Sequence, residues 1–133
     1  MPRWQRWWSY LLLSLCAITG LGWFVGLDVL SATPPQLTGW WVSHGALGFV
    51  TMMVIGAAIP AHVMATWRHR RNVALGLSSL TALLALAATA LWLLYGPGEG
   101  RDAVHWVHCV LGIAGIIVFI AHVLRGRRSV PHR

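Results

Sequence analysis

Apolar residues in this chain fall into four long, nearly unbroken blocks rather than alternating along one face of a helix or strand. The blocks run roughly Trp8–Leu27, Trp40–Met64, Val73–Tyr95 and Val104–Leu124. Each reaches about 20 residues, the length that crosses the hydrocarbon of a bilayer as an α-helix. Polar connections separate them at Asp28–Gly39, Ala65–Asn72 and Gly96–Ala103. Within lipid, backbone N–H and C=O groups must bond inside their own segment, so four apolar blocks predict four α-helices. Short connections make sequence neighbours antiparallel. The expected fold is all-α: an integral membrane four-helix up-and-down bundle, a single transmembrane domain over residues 1–133.

Charge gives this arrangement an orientation. The chain carries ten arginines, no lysine and three acids, for a formal charge of +7. Arg3, Arg6, Arg68, Arg70, Arg71, Arg125, Arg127, Arg128 and Arg133 fall at the N-terminus, the second connection or the C-terminus. Arg101 lies on the opposite side with Asp28, Glu99 and Asp102. By the positive-inside rule both termini are cytoplasmic, in a multi-pass protein of a bacterial inner membrane. The same rule explains the basicity without a nucleic-acid partner. Nine tryptophans cluster near block ends: Trp4, Trp7, Trp8 and Trp67 inside, and Trp23, Trp40, Trp41, Trp92 and Trp106 toward the outside. Amphipathic rings settle at headgroup depth, so these read as anchors.

Two features could suggest other histories. Arg3 and Arg6 ahead of an apolar run resemble a secretory leader, but the run is long and no Ala-x-Ala-like site closely follows it. The first block is therefore read as a membrane helix. Cys16 and Cys109 lie at different depths, which argues against a disulfide, and both read as small buried hydrophobes. No Cys-x-x-Cys-His occurs, which argues against covalent haem.

The chemistry expected of the chain rests on histidines. His44-Gly-Ala-Leu-Gly48 precedes Ala61-His62-Val63 in the second block, and His108-Cys-Val-Leu-Gly112 precedes Ala121-His122-Val123 in the fourth. This is a weak internal repeat. An ionisable side chain at membrane depth is costly and marks a functional site by default. Helices two and four run in the same direction and are expected as diagonal partners, pairing His44 with His108 and His62 with His122 by depth. The 18 residues from His44 to His62 make five whole turns, and the 14 from His108 to His122 fall about 40° short of four. Both pairs thus keep one face.

The axial separations differ, at about 27 Å and about 21 Å. A kink at Pro60, which lacks an amide hydrogen and crowds the Gly56 carbonyl, shortens the first. Alternatively His105 replaces His108, with better depth but about 100° off the face; His108 is favoured. Gly48 and Gly112, one turn from a histidine, leave room for a flat group near the backbone. Gly20, Gly22, Gly26 and Gly76 relieve crowding on helices one and three. Zinc or copper suits the histidines less well, since two imidazoles per level lack an acid or thiolate partner. His69 and His132 read as solvated.

With HxxxG at one end and AHV at the other of two parallel helices, the chain resembles the di-haem membrane cytochromes b, including hydrogenase-type and ferric-reductase-like members. The resemblance covers helices two and four and the four-helix arrangement, about two-thirds of the chain at most. It implies two non-covalent haems b, held by His44/His108 and His62/His122, and single-electron transfer across the membrane. A quinone, quinol or redox protein would then be the partner, and the chain a relay or a subunit of a larger complex. Bis-histidine iron has no open position, so electron transfer rather than oxygen chemistry is expected, as an electron-transfer protein or a subunit of a membrane oxidoreductase. The rival expectation is a haem-free membrane anchor or assembly subunit whose histidines are helix contacts. A small transporter with a histidine proton relay is less apt, because no embedded carboxylate accompanies them.

Overall fold

The computed structural model describes residues 2–33, 35–64, 67 and 73–128. Arg68, Arg70, Arg71 and Arg133, which carry part of the orientation argument, and His69 and His132, read as solvated, lie outside the described residues. The protein is all-α, with four long helices in up-and-down order. α1 spans Arg3–Phe24 and continues as a π-helical turn over Val25–Val29. α2 spans Thr38–Ala58 and continues as a π turn over Ile59–Val63. α3 is Val73–Tyr95 and α4 is Arg101–Arg128. All four are long and apolar enough to cross a membrane. They coincide with the four apolar blocks, extended by a few residues into their polar flanks.

The chain divides into two compact units, Met1–His62 and Val63–Arg133, each built on one antiparallel helical hairpin. In the first, α1 packs on α2. At Gly20, Gly22 and Gly26 an added Cβ would lie 2.7 Å from His44, 2.6 Å from Trp40 and 2.5 Å from Leu37. These three glycines descend α1 as their partners ascend toward the loop, so the backbones approach closely along one seam. Small residues serve this purpose in membrane helices, where van der Waals packing replaces the hydrophobic drive. Trp23 stacks edge-on against Trp41 near the same end, with centroids 5.9 Å apart.

The chain leaves α1 through backbone bonds rather than a side-chain cap. Leu30 N–H reaches the Val25 carbonyl at 2.9 Å, and Ala32 N–H reaches that of Gly26 at 2.8 Å. Ser31 reverses direction between them with a φ of 51°. In the second unit α3 packs on α4, where Gly115 faces Leu86 and Ala82, and Gly76 faces His122. Their connection is short. Gly96 N–H bonds the Trp92 carbonyl at 2.7 Å. A Cβ at Gly96 would come within 2.5 Å of that oxygen, so only glycine fits. Gly100 takes a φ of 75°, open to a residue without a side chain. Arg101 opens α4 and donates a hydrogen bond to the Leu93 carbonyl in the last turn of α3.

Burial runs opposite to that of a water-soluble protein. Among the described residues the buried hydrophobics are Leu12, Leu37 and Ala58, while Gln5, Ser9, Thr51 and Ser79 are buried polar residues. Large apolar side chains point outward on every helix: Ile18 is 58% exposed, Met53 75%, Leu84 61% and Ile117 63%. Apolar surface on this scale marks contact with lipid or with partner helices. The protein is a multi-pass membrane protein.

Pro60 interrupts α2 as its chemistry requires. The Gly56 carbonyl, which Pro60 cannot reach with an N–H, accepts from Ile59 instead. The helix widens to the π pattern over the next residues, a common device where the i→i−4 ladder is broken. His62 sits in this π turn. The count of five whole turns from His44 assumed an uninterrupted α-helix, and a turn closed by i→i+5 bonds rotates each residue less.

Candidate functional site

The intramembrane histidines are built into their own hairpins. His44, on α2, donates through Nδ1–H to the Cys16 carbonyl of α1 at 3.0 Å. The Thr19 hydroxyl oxygen lies 3.4 Å from the same nitrogen. Thr19 itself donates back to the Leu15 carbonyl at 2.8 Å, which leaves its lone pairs facing the imidazole. The ring occupies the notch at Gly20, where a methyl group would collide with Cε1. A residue that could have passed for an isolated ligand is thus anchored by the neighbouring helix.

His108, on α4, repeats the arrangement. Its Nδ1 lies 2.8 Å from the Thr89 hydroxyl of α3. The Thr89 hydroxyl also lies 2.9 Å from the Ala85 carbonyl of its own helix. Both hairpins therefore hold an imidazole Nδ1 against a threonine one helix earlier. The internal repeat reaches α1 and α3 as well, through Thr19 and Thr89, which their sequence surroundings did not reveal. His122 packs its Cε1 toward Gly76, where an added Cβ would lie 3.4 Å away. His62 is half-buried in the π turn.

The glycines one turn from a histidine behave differently from those on the seams. At Gly48 and Gly112 no packed atom lies within 4 Å of an added Cβ. They do not serve the hairpin contacts that Gly20, Gly22, Gly26 and Gly76 serve.

The expectation of paired histidine ligands does not hold. Among the described residues, the ligand atoms that gather within 4.8 Å of one another include a single histidine, His105, beside Cys109. None of His44, His62, His108 or His122 is among them. A bis-histidine haem needs two imidazoles on opposite sides of one iron; a single imidazole among unlike donors does not match that chemistry. This overturns two haems b as cofactors, and with them the cytochrome b reading and electron carriage across the membrane.

Cys109 is also more than a small hydrophobe. Its Sγ lies 3.8 Å from His105 Nε2, four residues back on the same helix face. The expectation that no thiol accompanies the histidines missed this pair, although the His-x-x-x-Cys spacing that creates it is plain in the sequence. The comparable pair in the first unit, Cys16 Sγ and His44 Nδ1, is also 3.8 Å apart, but there the nitrogen is engaged with the Cys16 carbonyl. The chain matches no family model, no curated protein and no solved structure.

Proposed function

We propose that this chain is a haem-free membrane anchor or assembly subunit of a larger membrane complex. The observation that carries this reading is the engagement of His44 and His108 by the neighbouring helix of their own hairpins. Polar side chains used in this way are interhelical glue, fixing the register of helices that have no hydrophobic reason to associate in lipid. Apolar side chains exposed along all four helices support the second half of the reading, since they suit acyl chains and the helices of partner subunits equally. The two hairpins act together as one four-helix domain over residues 1–133, in a bacterial inner membrane with both termini cytoplasmic. The arginine distribution supports that placement. The partners are the bilayer and the membrane subunits the chain anchors; a quinone or redox protein loses its rationale with the haem.

The test is optical and biochemical together. Protein purified in mild detergent from haem-replete cells is expected to show no b-type bands in a reduced-minus-oxidised spectrum. Solubilised native membranes should place it in an assembly larger than the chain itself on native electrophoresis. Stoichiometric b-type bands, or migration as a lone chain, would sink the proposal.

A further inference from the structure

We propose that His105 and Cys109 form a chelating pair for a soft, low-coordinate metal ion, Cu(I), near the start of α4. Four residues separate them on one helix, which stacks their side chains on the same face one turn apart. Nε2 and Sγ are 3.8 Å apart. Metal–sulfur and metal–imidazole bonds of about 2.3 Å and about 2.0–2.1 Å span that distance at an angle of about 120° at the ion. The helix thus presents both donors at the bite of a trigonal site without moving either residue's backbone.

Donor type and number select the metal. One thiolate and one imidazole are soft to intermediate ligands, which suit Cu(I) and Zn(II) and disfavour magnesium or calcium. Zinc in structural sites takes four ligands in a tetrahedron. The two donors that α4 itself supplies, set at a wide angle, serve copper better, with a further ligand completing the plane. Location makes the pair reachable. His105 lies four residues into α4, about 6 Å along its axis, beside the polar residues Arg101 and Asp102 that end the span. Cys109 is half-buried rather than sealed. On binding, the Cys109 thiol gives its proton to water as the copper–sulfur bond forms, and copper stays in the cuprous state.

Cys16 and His44 supply an internal control, since they show the same sulfur–nitrogen distance in a setting where Nδ1 already donates to a carbonyl. The experiment titrates the whole protein in detergent micelles with the Cu(I)–bicinchoninate complex, anaerobically and with ascorbate present. The unaltered chain is expected to withdraw one equivalent of Cu(I). Cys109→Ser and His105→Ala should each weaken that competition at least tenfold while circular dichroism keeps its helical signal. Cys16→Ser should compete as the unaltered chain does. Failure to withdraw copper overturns the proposal, as does retention of full competition in either Cys109→Ser or His105→Ala. Loss that follows Cys16 instead, or stronger retention of Zn(II) than of Cu(I), overturns it equally. If a substituted chain loses its helical signal, Cys109→Ala and His105→Gln replace it, and the same two readings apply.

Discussion

A single hydrogen bond inside a membrane is worth less than its surroundings suggest, because the separated helices find other partners. Thr89→Val removes the hydroxyl that holds His108, and this should cost about 0.6 kcal/mol, at most about 1.7. Reversible unfolding in mixed micelles would measure it, and a cost above that range would mean that the threonine does more than orient a ring. The glycine seam is less forgiving. Gly22→Ala places a methyl group 2.6 Å from the Trp40 ring, and the indole must move away from a backbone contact. A loss of about 1–3 kcal/mol is expected, the usual cost of overpacking, while Gly48→Ala, with open space around it, should cost far less. Thr51 points the other way. It is 2% exposed, and its hydroxyl has no hydrogen-bond partner among the described residues. Thr51→Val keeps the shape and discards a buried unsatisfied group, so the variant should unfold no more readily than the unaltered chain.

Helix ends and interruptions carry their own consequences. The π turn at Ile59–Val63 follows from one missing N–H at Pro60. Pro60→Ala restores a donor for the Gly56 carbonyl, so the α pattern should extend through residue 63. Carbon-13 α-shifts over residues 59–63 in micelles would move toward ordinary helical values. Unchanged shifts would assign the π turn to packing instead of to proline. The connection between α3 and α4 depends on the close approach at Gly96, the left-handed Gly100 and the Arg101 guanidinium on Leu93. The last turn of α3 leaves carbonyls without intrahelical partners, and Arg101, reaching back to one of them from the start of α4, also answers the negative end of the α3 dipole.

At the scale of the molecule, the apolar surface determines the environment. Side chains of leucine, isoleucine, valine and tryptophan remain exposed along every helix, and they would aggregate in water. The proposed direction, with both termini cytoplasmic, rests on the arginine bias and can be tested. A reporter that is active only in the periplasm, fused after Arg133, should remain inactive, and one placed in the Gly96–Arg101 connection should be active. The reverse pattern would invert the topology and place His105 and Cys109 on the cytoplasmic side.

Helix number, length and class followed from the sequence because they depend on local quantities. An apolar block of spanning length in lipid must be a helix, whatever it packs against, and the four blocks became α1 to α4 nearly at their expected limits. Pro60 likewise announced its interruption through its own covalent structure. The use of the histidines was not legible in this way. Spacing along one helix says which residues share a face, but not which neighbour that face meets. His44 and His108 matched in sequence context and in facing, and that match suggested shared ligation. Tertiary packing instead set each against a threonine of its own hairpin, and His44 against a helix carbonyl as well. Thr19 and Thr89 gave no signal because a threonine bonded to its own i−4 carbonyl is common in any helix. Only the approach of a second helix brings its hydroxyl against an imidazole.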